Sequence, residues 1–189
     1  MKLWTVMPES TYNDTIVKTG HYHCDTEKCA MLNEDSSTKQ FANAYNWLEN
    51  YMTEHIGPAP KGIKHPVWAW FRLRNKEKRP DLRWMEFNGF PEPMVMIELE
   101  IDDNKVILSD ECKWTCAQLN NSAWCDTDEE LDWYYDDPSV TWKEKEKFKN
   151  ESWFRIFDIS ESENVQATFW EFDKSNIRNV WHFNKNPRI

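Results

Sequence analysis

The sequence predicts a single-domain α+β fold, a mostly antiparallel mixed sheet with packed helices spanning residues 1–189. Short apolar runs rich in Val, Ile, Trp and Phe are concentrated between Lys64 and Asp110, where Pro, Gly and Asp-Asp-Asn separate them. This punctuation is typical of strands of one sheet. Apolar residues at helical spacing precede them, from Thr38 to Ile56. We therefore expect a central sheet with helices packed against it.

Composition supports one aromatic core. A chain of 189 residues is long enough for one compact domain. Its mean hydropathy of -0.85 is low, but 12 Trp, 10 Phe and 6 Tyr cannot remain solvated at a tolerable cost. With only 4 Gly, the chain has neither of the two common Gly-rich phosphate loops.

The charge balance argues against a nucleic-acid partner. Acids outnumber bases by 33 to 23, giving a net charge of -10, and such a field repels phosphates unless the bases cluster. They cluster once, which makes this stretch the credible anion site, although a solvated hairpin connection is the simpler interpretation. The cluster comprises Arg72, Arg74, Lys76, Lys78, Arg79 and Arg83.

The sequence predicts a cytoplasmic protein. Met1 leads directly into a strand-like run rather than the apolar stretch of a signal peptide, and no apolar run approaches the ~18 residues of a membrane span. The cysteine count of five is odd, which a reducing compartment explains most simply.

The N-terminal half contains two predicted helices. Leu3 to Met7 alternates as a first strand, and a helix capped by Ser10 or Thr11 follows, with Gly20 as the left-handed residue past its end. We expect a loop over His21 to Asp35. The second helix spans Thr38 to Ile56, and its adjacent Trp47–Tyr51 pair predicts cover on two sides.

The central region is predicted to form three strands and a helix. The strands are Val67–Leu73, Val95–Ile101 and Lys105–Leu108, and the last two form an antiparallel hairpin about Asp102-Asp103-Asn104. Ser109 is predicted to cap a helix that ends near Leu119.

The C-terminal third combines helices and strands. Asp126 to Asp137 carries seven acids and no base, which predicts a solvated helix with an aromatic underside, although it could also chelate a cation. Asp137-Pro138 predicts the start of a helix running toward Trp153. Two strands follow, at Val165–Phe172 and Asn179–Phe183.

Several segments together resemble an uncharacterised bacterial family, a domain of unknown function of about this length. They occur in order over nearly the whole chain, and the resemblance implies a bacterial or phage origin without an established activity. The segments are Leu3-Trp4-Thr5-Val6, Ala44-Tyr45-Asn46-Trp47-Leu48 with Met52, Pro66-Val67-Trp68-Ala69-Trp70, Pro80-Asp81-Leu82-Arg83, Leu108-Ser109-Asp110 with Trp114 and Asn120, and Gln166-Ala167-Thr168-Phe169-Trp170.

A second resemblance, to ADP-ribosyltransferase-like folds, rests on the opening strand and helix ending in Lys18-Thr19-Gly20 and on a late strand before Asn176 to Val180. It implies NAD bound in a cleft between two sheets, a His or Arg on the first strand and a Glu on a late strand. This chain has Trp4 and Thr5 at the first place and Gln166 at the second, with Glu171 five residues further on.

The segment Arg79-Pro80-Asp81-Leu82-Arg83 is the first candidate ligand site. Its proline restrains the backbone, and its two guanidinium groups can grip phosphate or carboxylate in a bidentate manner. The alternative is an Asp81–Arg83 pair that pins a loop to the sheet.

The candidate chemistry lies on predicted strands. Glu98 and Glu100 share a strand face and could form an acid/base couple if that face lines a cleft, or remain surface charges if it does not. Trp68 and Trp70 share another face, and Trp170 shares one with Gln166. Core packing is the default for such aromatics, and a cleft that stacks a planar ring is the alternative.

Metal and nucleophile sites are not predicted. His21, His23, Cys24 and Cys29 offer soft ligands but no CxxC pair, and Cys112 and Cys116 have the spacing of a helix face. A capping role accounts for Ser109.

Two functional hypotheses follow. The first is a nucleotide-handling, ADP-ribosyltransferase-like enzyme that uses NAD or another small-molecule ligand. In it Glu98, Gln166 and Glu171 lie near the chemistry, and Trp68, Trp70, Arg79, Asp81, Arg83 and Trp170 bind ligand. The second is a non-catalytic binding protein that contacts a protein partner through Asp126 to Asp137.

Overall fold

The main sheet has six antiparallel strands. The computed structural model describes residues 1–25, 39–118 and 122–184, and over these residues the α+β prediction is confirmed. A separate two-stranded sheet pairs β2 (His21–His23) with β7 (Glu171–Asp173). From edge to edge, the main sheet contains β5 (Ile107–Asp110), β6 (Val165–Phe169), β3 (Val67–Arg72), β1 (Lys2–Pro8), β4 (Met94–Glu100) and β8 (Ile177–Phe183).

Five α-helices occur in the described residues. None of the helices described is long and apolar enough to cross a membrane. The helices are α1 (Glu9–Tyr12, continued by the π-helical turn Asn13–Val17), α2 (Lys39–Ile56), α3 (Glu111–Gln118), α4 (Asp128–Tyr135) and α5 (Trp142–Ser152), which leads into the 3-10 turn Trp153–Phe157.

The centre of the sheet is the pair β1 and β4. All seven residues of β1 have a partner on β4, from Lys2 opposite Glu100 to Pro8 opposite Met94. Because side chains alternate along a strand, this register directs Leu3 and Ile97 to one face, where both are 0% exposed. Trp4 and Met96 project to the opposite face and are at most 4% exposed, so both faces of the two strands are covered.

The two faces are covered differently. On the Ile97 face, Val95, Leu99 and Phe169 form one core with Ile16 of the π-helical turn. The opposite face carries two separate apolar clusters. One is centred on Trp4 and the segment between β3 and β4, and the other lies under α2 and α3.

Helix α2 confirms the predicted two-sided cover. Ala44, Leu48 and Met52 are fully buried at i, i+4 and i+8. On the neighbouring flank, the ring centroids of Trp47 and Tyr51 are 6.4 Å apart, and both rings pack against Phe157. The predicted start at Thr38 lies outside the described residues.

The predicted hairpin between Val95–Ile101 and Lys105–Leu108 is wrong. Strand β4 pairs with β1 and β8, whereas β5 begins at Ile107, after a 3-10 turn at Asp103–Lys105, and pairs with β6. A short polar turn favours a local hairpin, but these two strands find more extensive partners elsewhere in the chain.

The opening helix begins earlier than predicted. It starts at Glu9, and its N-cap is Pro8 without a side-chain hydrogen bond, so neither Ser10 nor Thr11 caps it. Gly20 has φ +81, which confirms its predicted left-handed conformation.

Two other predicted helix starts are also wrong. Asp110, rather than Ser109, caps α3 by accepting a hydrogen bond from the Lys113 amide at 2.8 Å. Asp110 directly precedes the first helical residue, Glu111, whereas Ser109 lies one residue further back in β5. Helix α5 starts at Trp142 rather than after Asp137-Pro138. Its N-cap Thr141 forms a reciprocal capping box with Glu144.

One predicted loop and one predicted strand change. His21–His23, expected to be loop, is strand β2, because its backbone pairs with Glu171–Asp173. The same pairing divides the predicted strand Val165–Phe172 into β6 and β7, which are separated at Trp170. Of the rest of the predicted loop, residues 24–25 are in neither helix nor strand, and residues 26–35 lie outside the described residues.

Replacing Ile97 by Ala should destabilise the fold by about 2–5 kcal/mol, because the side chain is 0% exposed and a cavity would remain. Urea unfolding followed by tryptophan fluorescence measures this loss. The matched control is Met85→Ala. Met85 is 83% exposed, so the change should stay within about 0.5 kcal/mol. Equal losses for both variants would contradict the assigned register.

Candidate functional site

A row of polar and aromatic side chains crosses all six strands on one sheet face. Each member is paired with the next across an antiparallel ladder, and directly paired residues project to the same side. We call this set the polar row. It comprises Ser109, Gln166, Trp70, Trp4, Glu98 and Asn179.

The polar row lies where the two apolar clusters that cover this face of the sheet meet. Trp68 packs under α2 and α3, with its ring centroid 5.1 Å from that of Trp114. Trp70, two residues further along the strand and on the same face, belongs instead to the cluster that also contains Leu82 and Trp84. The seam between the two clusters therefore passes between Trp68 and Trp70.

Several buried polar atoms at this seam have no hydrogen-bond partner among the described residues. They are Ser109 Oγ, Gln166 Oε1, Trp4 Nε1 and Trp68 Nε1. Ser109 is 0% and Trp4 is 4% exposed. An unpaired buried polar group costs about 1–3 kcal/mol, so these atoms mark a place where hydrogen bonds to a ligand or water would be favourable.

Glu98 and Glu100 do not form a repelling carboxylate pair. The Glu98 side chain is 13% exposed and accepts a hydrogen bond from Asn179 Nδ2 at 3.2 Å. Glu100 accepts from Arg178 Nε at 2.8 Å, and this hydrogen bond lowers its pKa. Of the two, only Glu98 is partly enclosed in the polar row.

Two other predicted site residues lie away from the row. Glu171 is on β7, where its Oε2 is 3.0 Å from His21 Nε2, and it lines a separate cavity of about 330 Å³. Trp170 is 8% exposed, and its Nε1 donates to the Gly57 carbonyl at 3.0 Å. The side chains of Glu171 and Trp170 are therefore both engaged in contacts within the fold.

The predicted arginine segment lines a cavity of about 520 Å³. The cavity lies on the outside of the segment that joins β3 to β4. We call it the basic groove. Its walls are Lys76, Lys78, Arg79, Asp81, Arg83 and Trp84.

Arg83 and Asp81 form the pair that the sequence suggested. Arg83 Nε donates to Asp81 Oδ1 at 2.9 Å and Nη2 donates to Oδ2 at 2.5 Å. These hydrogen bonds raise the pKa of Arg83. The Arg83 side chain is nevertheless 87% exposed, so the pair orients it toward solvent without burying it.

The other cations of the groove lack a carboxylate partner. Within the described residues, Lys76, Lys78 and Arg79 form no ion pair, whereas Arg72 and Arg74 of the same cluster pair with Glu77 and Glu86. The Arg79 guanidinium lies 4.7 Å from the centroid of the Trp181 ring. The Lys76 ammonium lies 5.7 Å from that of Trp84.

The groove and the polar row adjoin through one apolar cluster. Leu82 and Trp84, which flank Arg83 in the chain, pack with Trp4 and Trp70. Neither Trp70 nor Gln166 lines the groove itself. The structure therefore brings the predicted arginines near the row but does not join them with Gln166 in one cavity.

Part of the predicted acidic segment, Asp126 to Asp137, is engaged in ion pairs within the chain. Arg155 pairs with Asp126 at 3.0 Å and with Glu130 at 2.5 Å. The hydrogen bond from Arg155 lowers the pKa of Glu130 to about 2. Three of the remaining acids, spaced at i, i+4 and i+8, lie on an exposed face formed by α4 and its C-cap. These residues are Asp128, Asp132 and Asp136.

The sequence reasoning missed Ser109 and Asn179 as row members and Trp181 as a cation contact. The strand pattern around each of these residues is visible in the sequence. Whether they lie at the same level of the sheet depends on the order of the strands, which the local pattern does not give. Among the described residues, no group of three His, Cys, Asp or Glu side chains is arranged to hold a metal ion. Cys29 lies outside them.

Comparison with known proteins identifies one family. A family model described as a domain of unknown function, DUF3841, matches residues 2–178. No curated protein and no solved structure matches the chain. The resemblance to an uncharacterised family is thereby confirmed, and the ADP-ribosyltransferase-like resemblance stays a prediction.

Glu130→Gln should lower stability at pH 7 by about 1–3 kcal/mol, because it removes a hydrogen-bonded carboxylate from Arg155. The pKa of Glu130 in the folded state lies below 4.5, the ordinary value of a glutamate. The contribution is therefore fully present above that value and is lost as the pH falls toward 2. Urea unfolding at pH 7 and pH 3 measures the free energy of unfolding of the wild type and of Glu130→Gln. Asp132→Asn is the control. If the stability difference between the wild type and Glu130→Gln is as large at pH 3 as at pH 7, the assignment is wrong.

Proposed function

We propose that this chain, which belongs to the DUF3841 family, handles a nucleotide or another phosphate-bearing small molecule at the basic groove. One observation carries the proposal. Lys76, Lys78 and Arg79 line a single groove without a carboxylate partner among the described residues, although the whole chain has a net charge of -10.

Electrostatics favours an anion at this groove. The acidic remainder of the surface repels phosphate, so a local cluster of unpaired cations is where a phosphate approaches most easily. Arg83 adds a guanidinium oriented by Asp81, a geometry that suits bidentate contact with phosphate oxygens. Lysine ammoniums at Lys76 and Lys78 add mobile donors around it.

The neighbouring rings supply surfaces for the planar part of a nucleotide. Arg79 and Lys76 already lie over the indoles of Trp181 and Trp84. A base can stack on such rings while the cations turn to its phosphates. This arrangement supports a nucleotide more than a simple inorganic anion.

The finer form of the proposal is an ADP-ribosyltransferase-like enzyme that uses NAD in a bacterial or phage cytoplasm. In it the groove holds the phosphates, and the polar row lies near the chemistry. Gln166 offers an amide oxygen without a partner among the described residues, and Glu98 offers a partly enclosed carboxylate. Glu171 lies on the other sheet and is given no role in this form.

A second function is supported by the free acids of α4. Asp128, Asp132 and Asp136 share an exposed face and form no ion pair with any residue that the structure describes. A protein partner with basic side chains fits this face. In that alternative the chain is a binding protein without catalysis.

Titration with ADP-ribose, NAD and AMP should raise the melting temperature of the native chain, because a ligand that binds the folded state stabilises it by mass action. Arg83→Ala and Arg79→Ala should each weaken the affinity about tenfold, which corresponds to one charge-assisted hydrogen bond. Differential scanning fluorimetry measures both effects.

Lys61→Ala is the matched control, since it removes one exposed cation outside the groove. It should leave the affinity unchanged. If the shift is the same in all three variants, the ligand binds elsewhere. If no nucleotide produces a shift, the groove proposal is wrong and the acidic face of α4 becomes the site to test.

Gln166→Ala should lower the rate of NAD cleavage at least tenfold while the melting-temperature shift with ADP-ribose stays within error, because Gln166 is placed near the chemistry and outside the groove. Nicotinamide release followed by chromatography measures the rate. Glu171→Gln is the comparison and should retain activity. Wild-type protein that binds NAD without releasing nicotinamide would overturn the enzyme form and leave the binding form standing.

A further inference from the structure

The outer face of α5 carries a shallow apolar groove of about 500 Å³. Four of its lining residues recur at i, i+4, i+8 and i+12 along the helix and into the following turn, and the other three lie one residue after the first three of them, so together they form one stripe. We call this stripe the α5 face. It comprises Trp142, Lys143, Glu146, Lys147, Asn150, Glu151 and Phe154.

Two large exposed aromatics mark the ends of the α5 face. Trp142 is 73% exposed and Phe154 is 54% exposed. They are separated by about 18 Å, the rise of twelve helical residues. Aromatic side chains of this size gain most when a second surface covers them.

The α5 face is held rigidly from behind. On the inner side of the helix, Phe148 packs against Trp133 and Tyr134. The ring of Phe154 contacts that of Trp47, with 5.3 Å between centroids. A partner binding here therefore meets a helix that is already fixed in position, so the entropic cost of association falls mainly on the exposed side chains of the face.

The charges of the α5 face are complementary to those of a second α5 in antiparallel orientation. Lys143 lies in the N-terminal half and Glu151 in the C-terminal half of the helix. A two-fold axis near its middle places Lys143 opposite Glu151 of the partner subunit and Trp142 beside Phe154 of the partner subunit. A parallel arrangement would place Lys143 against Lys143 of the partner subunit, which is repulsive.

The side chains near the middle of α5 are compatible with a two-fold axis at that position. Lys147 is nearest to it, and its ammonium is 3.7 Å from the Glu151 carboxylate of its own helix. In the dimer this carboxylate is shared between Lys147 and Lys143 of the partner subunit. The neighbouring Asn150 is uncharged. Like charges meeting at the axis are therefore partly neutralised within each subunit.

We propose that the chain associates with a second copy of itself through an antiparallel, two-fold contact between α5 faces. The contact is isologous, so it closes at a dimer. It concerns a surface other than the basic groove and does not depend on the proposed function. A helix of 11 residues offers less than the roughly 800 Å² per partner of a standard interface, so the dimer depends on concentration.

Sedimentation velocity of the full chain from about 1 to 500 µM tests the proposal, since a small interface dissociates at the dilute end. The wild type should shift from monomer to dimer over this range. Trp142→Ala should raise the dissociation constant at least tenfold. Lys143→Glu and Glu151→Lys should each do the same, because each homodimer then contains two like-charge contacts.

An equimolar mixture of Lys143→Glu and Glu151→Lys is the decisive sample. The mixed dimer recovers both opposite-charge contacts, so the mixture should associate at least tenfold more tightly than either variant alone. Lys145→Glu reverses a charge on the same helix but outside the α5 face and should dimerise like the wild type. Circular dichroism confirms that each variant is folded.

A wild-type chain that remains monomeric at 500 µM, or charge variants that do not recover on mixing, would overturn the proposal. Dimerisation that is unaffected by Trp142→Ala would also overturn it, because the contact would then lie elsewhere.

Discussion

Burial of both faces of β1 and β4 is the constraint on which the rest of the structure depends. These strands pair along their full length, and their alternating side chains send Leu3 and Ile97 one way and Trp4 and Met96 the other. All four are at most 4% exposed. An antiparallel sheet can leave one face in water, but this one cannot. The other four strands extend the sheet, and the helices and the segment after β3 cover its two faces.

The candidate site is a consequence of how the second face is covered. Two separate clusters, one beneath α2 and α3 and one beneath the segment after β3, meet above Trp68 and Trp70. Polar atoms of Ser109 and Gln166 remain unpaired at this seam within the described residues. The same segment that covers Trp4 from inside presents the basic groove on its outside. Core packing and the proposed anion site thus share one piece of chain.

Local patterns predicted the elements well and their partners poorly. The spacing of Ala44, Leu48 and Met52 predicted α2 because helical periodicity is a property of neighbouring residues. The hairpin prediction failed for β4 and β5 because strand pairing joins residues far apart in the chain. Ser109 illustrates both effects, since its hydroxyl and position suit a helix cap, whereas its pairing with Gln166 draws it into the sheet.

The sequence by itself determined the α+β class, the family, helix α2 and the position of the cationic segment. Each of these depends on residue type and short-range spacing. The tertiary structure alone decided that Gln166, Trp70, Trp4 and Glu98 share one row, and that Glu171 lies on another sheet. These outcomes depend on strand order and register, which are set by the total burial of the folded chain and not by any single segment.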